Sequence, residues 1–162
     1  MKKSIAVLLT VFNRKEKTLE CIKSVKRQEG LESFASNIFL VDGGSSDRTP
    51  EEVQKIFPEV HVSVHDGLYW AEGMRQAWKN ALAYSTDFDY FWLINDDTTL
   101  YPTCLKLILE TESIGNELST ATLHVVPFGV NVTALFASVP FSGSFDHLTV
   151  FSDSSKLPVL LV

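Results

Sequence analysis

Two adjacent carboxylates follow a short apolar run in FWLINDD, residues 91–97. Side chains of an extended segment alternate between faces, so Asn95 and Asp97 are expected on one side and Asp96 on the other. Adjacent carboxylates repel, and a site that keeps both ionised needs a cation or hydrogen-bond donors. Oxygen ligands suit Mg²⁺ or Mn²⁺, with substrate phosphates completing the coordination. Taken alone, the pattern is more typical of a turn or a helix N-cap.

A second polar cluster, DGGSSD at 42–47, follows another apolar run. Gly43 and Gly44 allow backbone to approach a ligand closely, and Asp42 is placed to accept hydrogen bonds from a base or a ribose. The glycine spacing matches neither the dinucleotide fingerprint nor the phosphate loop. The alternative is a tight connection in which Asp47 or Thr49 caps a helix, and Thr49 is the favoured cap.

Two arginines are candidates for binding an anion. Arg14 ends TVFNR, residues 10–14, and either faces a phosphate or lies solvated in a first helical turn. Arg75 follows Gly73 near a predicted helix start, where a cation is unfavourable to the helix dipole. An anionic ligand there would offset that cost, although a surface arginine explains the residue equally well.

The elements that position these motifs alternate along the chain. Apolar runs predict strands at 4–12, 37–41, 61–65 and 89–95, and amphipathic spacing predicts helices at 13–28, 49–57, 74–82 and from 102 onward. The segment 66–73 is predicted to be a loop. Strands alternating with helices indicate an α/β fold with a mostly parallel sheet, covered by helices on both faces as a three-layer sandwich. Ligands of such sheets bind beyond the carboxyl ends of the strands, where all three polar motifs fall.

Composition narrows the functional classes. The 162 residues are 45% hydrophobic and 21% charged, as in a soluble domain, and the formal net charge of −6 argues against binding nucleic acid. Two cysteines form no disulfide framework, which favours a cytoplasmic setting. No apolar run reaches the roughly 18 residues of a transmembrane segment. Peripheral association with the inner face of a membrane and a homodimer stay open.

The sequence changes character after residue 118. Residues 119–162 carry three charged side chains, Asp146, Asp153 and Lys156, and show no helical period. Two interpretations stay open for this tail: a β-rich extension, or a segment foreign to the fold because of a truncation or an altered reading frame. We therefore divide the chain into 1–118 and 119–162.

The three motifs together resemble those of family 2 glycosyltransferases. TVFNR, VDGGSSDRT and LINDDTTLYP match the strings of that family in order, and LYWAEGMRQAW is similar to its Gly- and Asn-rich segment. The resemblance covers residues 4–112 and is closest to bacterial rhamnosyltransferase-like members. It implies the GT-A (Rossmann-like) fold of nucleotide-diphospho-sugar transferases, with residues 1–118 as the nucleotide-sugar-binding half.

The resemblance also implies roles at the first two motifs. Thr10, Phe12 and Arg14 would line the pocket for the nucleotide base. Asp42 would hydrogen-bond the base, with Gly43 beside it.

At the third motif, Asn95-Asp96-Asp97 occupies the D-x-D site of the family. Asp96 would approach the ribose, and Asp97 would bind the Mn²⁺ or Mg²⁺ that bridges the diphosphate. Asn95 stands where many members have Asp, which removes one charge from the metal site. Arg75 replaces a usual Asn within the nucleotide-sugar-binding set.

The implied reaction is inverting, metal-assisted transfer of a sugar from a nucleoside-diphosphate-sugar donor to a hydroxyl of a carbohydrate or lipid-linked acceptor, in bacterial surface polysaccharide synthesis. No acidic segment typical of the acceptor site is found in 119–162, and the catalytic base is unassigned. Two hypotheses therefore stand: an active transferase with an atypical acceptor region, and a domain that binds nucleotide with weak or no transfer. A nucleotidyltransferase is disfavoured because TVFNRKEK lacks glycines, and a phospho-acceptor module because its acidic pair would follow the first strand.

Overall fold

The structure, a computed structural model, describes residues 2–85 and 87–110 with their side chains, the backbone of 111–114, and four short strands beyond. The elements in chain order are β1 (Ser4–Val11), α1 (Lys15–Lys26), a 3-10 turn (Leu31–Ser33), β2 (Ala35–Asp42), α2 (Thr49–Ile56), β3 (His61–Val64), α3 (Trp70–Tyr84), β4 (Tyr90–Leu93), α4 (Cys104–Ile114), β5 (Thr122–Leu123), β6 (Val132–Thr133), β7 (Ala137–Ser138) and β8 (Pro158–Leu161).

The main sheet has the order β3-β2-β1-β4-β8-β7, and β5 and β6 form a separate antiparallel pair. All neighbours from β3 to β8 are parallel, and β7 runs antiparallel to β8. The α/β class with a mostly parallel sheet is thereby confirmed. β8 lies within the predicted tail and pairs with β4. The division of the chain at residue 118 stays a prediction, and the side chains of 119–162 lie outside the described residues.

The apolar strands are buried on both faces, because helices cover each side of the sheet. Alternate residues of β1 enter two separate cores. Ile5, Val7 and Leu9 pack toward α1, α2 and α4, whereas Ala6 and Leu8 pack toward α3. None of the helices in the described part of the chain combines the length and the apolar character that a membrane span requires.

The prediction of a loop over 66–73 is wrong for its last four residues, because α3 already begins at Trp70. Gly73 misled the prediction, since glycine is rarely favoured inside a helix. Its role is close packing: a Cβ at this position would collide with the hydroxyl of Thr10 on β1. The helix can therefore approach the carboxyl end of β1 only with glycine here. At α4, the observed start at Cys104 lies two residues beyond the predicted Pro102.

The prediction that Thr49 is the N-cap of α2 is also wrong. Thr49 is already helical, and both its backbone N–H and its hydroxyl donate to Asp47 Oδ1. Glu52, in the first turn of this helix, pairs with Lys55 at 3.1 Å. Asp47, the alternative left open by the sequence, is the residue that accepts the first N–H of this helix.

Candidate functional site

The acidic pair lies in a turn after β4, which we call the β4 turn (residues 95–98). The Thr98 N–H donates to the Asn95 carbonyl at 3.1 Å, so Asp96 and Asp97 occupy the centre of the turn. The expectation that their side chains point to opposite faces is wrong, because the chain has left the extended conformation after Leu93. The turn directs both carboxylates toward one partner, Arg14.

Arg14 contacts both acids from the start of α1. Its Nη1 lies 3.3 Å from Asp96 Oδ1 and 2.9 Å from Asp97 Oδ2. The Asp96 side chain is 8% exposed, against 37% for Asp97. One guanidinium therefore faces two carboxylates, which leaves the cluster one negative charge in excess when both acids are ionised.

Asp96 is the carboxylate of this cluster whose charged form is disfavoured by burial. Burial raises the pKa of its carboxyl; Arg14 opposes that shift, and the neighbouring Asp97 charge adds to it. Its Oδ2 is buried and has no hydrogen-bond partner among the residues that the structure describes. A buried carboxylate oxygen without a donor is costly, and a bound cation or a ligand hydroxyl would satisfy it.

Cys21 of α1 is hydrogen-bonded to the β4 turn. Its Sγ donates to the Asn95 carbonyl at 3.4 Å. Burial, followed by the charges of Asp96 and Asp97, raises the pKa of this thiol to about 12. Cys21 is therefore a protonated donor that fixes the turn, and not a nucleophile, because the nucleophilic form of cysteine is the thiolate.

The other polar cluster forms the β2–α2 loop (residues 43–48). Asp42 is fully buried at its start, and its Oδ1 accepts the N–H groups of Gly44 at 3.0 Å and Ser45 at 2.7 Å. This is an Asx-type turn. The second oxygen, Oδ2, is buried and finds no donor within the described residues. One oxygen of Asp42 thus builds the loop, and the other is left for a ligand.

Hydrogen bonds tie the β2–α2 loop to the segment that presents Arg14. The Asn13 N–H donates to Ser45 Oγ at 2.8 Å, and Asn13 Oδ1 accepts the Ser46 N–H at 2.8 Å. Asp47 Oδ2 accepts the N–H of Lys15 at 2.9 Å. Asn13 and Asp47 were missed as site residues by the sequence reasoning. The signals were an Asn able to adopt its observed positive φ of 53°, and an Asp just before a helix.

Three further residues were predicted to belong to the site: Phe12, Thr10 and Arg75. Phe12 is 57% exposed beside Gly43, where a Cβ would lie 2.8 Å from the Leu68 carbonyl. Thr10 is 6% exposed and lies under α3. Arg75 lies in the second turn of α3, so the argument that placed it at a helix start is wrong; its Nε is buried without a partner among the described residues.

Trp70 is a further site residue that the sequence reasoning missed. Its Nε1–H donates to Asn95 Oδ1 at 2.9 Å, which connects the first residue of α3 with the β4 turn. The signal available in the sequence was an aromatic pair, Tyr69 and Trp70, following a strand at the predicted ligand edge.

A metal ion at this site would need ligands from outside the protein. No group of three or more His, Cys, Asp or Glu side chains that could hold a metal occurs within the described ranges. Asp97 and the unsatisfied oxygen of Asp96 offer two carboxylates. That donor set fits the Mg²⁺ and Mn²⁺ sites in which one or two carboxylates act together with substrate phosphates.

The mostly parallel sheet has helices on both faces, with the acidic turn and the glycine loop at the carboxyl ends of its strands, which is the architecture of the GT-A fold. The sequence profile of Glycosyl transferase family 2 matches residues 6–126, and the chain belongs to this family. No curated protein sequence matches it.

Solved structures show the same fold. S. aureus TarS 1-349 has a TM-score of 0.57 at 14% identity, over 83% of this chain and 41% of TarS 1-349. Its complex with UDP-GlcNAc gives 0.56 at 16% identity, over 76% and 37%. The mannosyltransferase PcManGT from Pyrobaculum calidifontis, with GDP-Man and Mn²⁺, gives 0.50 at 17% identity, over 72% and 33%. The chain thus spans less than half the length of these structures.

Proposed function

We propose that this chain binds a nucleoside-diphosphate-sugar donor with Mn²⁺ or Mg²⁺ and belongs to an enzyme that transfers the sugar to an acceptor hydroxyl. The observation that supports this most is the β4 turn, where Asp96 and Asp97 share a single arginine at the ligand edge of a family 2 domain. A carboxylate pair that lacks a full counter-charge would suit a divalent cation that also binds the phosphates of a donor.

The base end of the donor is assigned to the β2–α2 loop. Asp42 has an Oδ2 without a partner among the described residues for a base N–H, and Phe12 is exposed for stacking. Gly43 lets the Leu68 carbonyl pack closely over the loop. Thr10 shapes this end from beneath α3. We keep Arg75 as a donor-site residue, on its unsatisfied Nε.

The diphosphate end is assigned to the β4 turn. Asp97 would hold the metal, Asp96 would approach the ribose, and Asn95 completes the motif. Arg14 was expected in the base pocket, but it lies against the acidic pair and is better placed to balance charge on the diphosphate. Asp97 would hold the divalent ion, which when bound would supply Lewis-acid stabilisation of the leaving nucleoside diphosphate.

The finer assignments rest on family resemblance. We propose inverting transfer, in which an acceptor hydroxyl attacks the anomeric carbon opposite the leaving group. We also propose a cytoplasmic role in surface polysaccharide synthesis, with a carbohydrate or lipid-linked acceptor. UDP-GlcNAc in TarS and GDP-Man with Mn²⁺ in PcManGT support a nucleotide-sugar donor and a metal, but they do not select the base.

The test is calorimetric titration of the purified chain with UDP, GDP and dTDP, each with and without Mn²⁺. We expect one nucleotide to bind, and Mn²⁺ to tighten its binding by at least about tenfold, or ~1.4 kcal/mol. Failure of all three to bind in Mn²⁺ would contradict the proposal.

We predict that residues 1–162 transfer sugar weakly or not at all, because 119–162 contains no acidic segment typical of the acceptor site. The measurement is release of nucleoside diphosphate and labelled product with oligosaccharide acceptors. Robust transfer would select the hypothesis of an active enzyme with an atypical acceptor region. Nucleotide binding without transfer would select the other hypothesis.

A further inference from the structure

The segment 66–70 crosses the ligand edge of the sheet from one assigned end of the donor site to the other. Asp66 lies against Gly44, and the Leu68 carbonyl lies over Gly43, both in the β2–α2 loop. Two residues later Trp70 reaches the β4 turn and bonds to Asn95. This direction follows the sheet order β2-β1-β4. Trp70 therefore lies at the end of the site away from Asp42.

The packing of α3 and one hydrogen bond fix the position of Trp70. Gly73, one turn later in α3, sits against Thr10 at a place where any Cβ would collide. The Nε1–H of Trp70 is held by Asn95 Oδ1. The indole is thus anchored at two points, through its helix and through its N–H group.

The exposed surface of Trp70 is largely hydrocarbon. The residue is 49% exposed, yet the only polar atom of its side chain is already bonded to Asn95. An exposed indole beside Asp96 and Asp97 is an apolar surface in a polar site. Ligand pockets commonly combine such an aromatic wall with a few fixed polar groups.

We propose that Trp70 is a sugar-binding residue of the donor site, whose ring packs on the C–H face of the transferred sugar while its N–H positions Asn95. This rests on the proposed function, which places the base near Asp42 and the diphosphate at the β4 turn. The parts of the donor are joined in the order base, ribose, diphosphate and sugar, so the sugar lies past the diphosphate, at the Trp70 end.

The test compares each nucleotide-sugar with its own nucleoside diphosphate, in Mn²⁺, by calorimetry. The probes are UDP-GlcNAc with UDP, GDP-mannose with GDP, and dTDP-rhamnose with dTDP. For the pair that binds, Trp70→Ala is expected to weaken nucleotide-sugar binding by about tenfold, as for loss of one aromatic stacking contact. Binding of the nucleoside diphosphate should weaken by a clearly smaller factor, which reflects only the lost hydrogen bond to Asn95. Trp70→Phe keeps an aromatic ring, so it should weaken nucleotide-sugar binding by only about threefold, which is half of the tenfold loss on a logarithmic scale.

Tyr84→Ala is the matched control. Tyr84 ends the same helix, is 58% exposed, and contacts His61 and Phe39 far from the β4 turn, so its loss should leave both affinities unchanged. Equal weakening of sugar-bearing and sugar-free ligands by Trp70→Ala, or no change in either, would overturn the proposal. If the unaltered chain binds none of the nucleotides, the proposed function itself fails, and this inference fails with it.

Tryptophan fluorescence provides a second readout. Trp92 is fully buried, and Trp78 stacks on Phe91 at 4.1 Å between ring centroids, so a ligand at the sheet edge should alter chiefly the emission of Trp70. We expect the nucleotide-sugar to shift the emission, and Trp70→Phe to abolish that shift. A shift that persists in Trp70→Phe would contradict contact between the sugar and this indole.

Discussion

The β2–α2 loop and the β4 turn lie at the ends of strands in one sheet, but they are stabilised differently. The loop is held by hydrogen bonds from backbone N–H groups, which Asp42, Asn13 and Asp47 accept. The turn presents two carboxylates to one arginine, with an unsatisfied oxygen on Asp96. Asp42 Oδ2 is likewise without a partner among the described residues, but the backbone of the loop is held without a ligand, whereas the turn lacks a full counter-charge for its two carboxylates.

We therefore expect the loop to contribute mainly to the stability of the free protein and the turn mainly to ligand binding. Substitutions in the loop should mainly change the free energy of unfolding, because they remove bonds that exist in the free protein. Substitutions in the turn should mainly change cation and diphosphate binding, because its unsatisfied groups act only when a ligand is present.

Asp42→Ala should have the largest effect on stability. It leaves the N–H groups of Gly44 and Ser45 without their acceptor, and we expect a loss of about 2–3 kcal/mol in urea unfolding. Asp42→Asn keeps an acceptor oxygen for the loop and should lose less. If Asp42→Ala unfolded like the unaltered protein, the loop would not depend on this carboxylate.

Asp47→Ala should cost about 1–2 kcal/mol, because Asp47 accepts the first N–H groups of two helices, those of Lys15 and Thr49. Burial opposes ionisation of Asp47, but hydrogen bonds from Thr49 and Lys15 outweigh it, so the pKa is lowered. The stabilisation is therefore present above about pH 3.9, the pKa of an unfolded Asp, and is lost as pH falls through the folded pKa.

Urea unfolding of this variant at pH 7 and at pH 3 tests that sign. The difference between Asp47→Ala and the unaltered protein should shrink at the lower pH. A difference that grows on acidification would contradict the assigned direction of the shift.

Arg14→Ala should have the smallest effect on stability, below about 1 kcal/mol, because the Arg14 side chain is half exposed. Its effect on charge should be clear: without the guanidinium, the pKa of Asp96, already raised by burial, should rise further. Carboxyl NMR titration measures this, with Arg27→Ala, an exposed arginine directly after the end of α1, as the control. An unchanged or lower Asp96 pKa would show that Arg14 does not balance the pair.

The sequence predicted the strands well, because runs such as Ile5–Leu9 are apolar enough to indicate burial on both faces. It also located the polar groups, since the carboxyl ends of parallel strands share one edge. It failed where long-range contacts decide. Gly73 was predicted to lie outside a helix, but its contact with Thr10 explains why glycine occurs inside α3. Asp96 was predicted to be extended, but it lies in a turn. The aromatic pair at 69 and 70 marked the ligand edge, but nothing in the local sequence indicated that Trp70 bonds to Asn95.

We propose above that the β4 turn binds a divalent cation together with a nucleoside diphosphate. The most direct measurement is electron paramagnetic resonance of free Mn²⁺, titrated with the chain and the nucleotide that binds, against nucleotide alone. The unaltered chain and Glu20→Ala, an exposed acid on α1, should remove Mn²⁺ from solution beyond what nucleotide removes. Asp97→Ala should not, while it unfolds at the same urea concentration. Equal Mn²⁺ binding by Asp97→Ala and the unaltered chain would contradict the account.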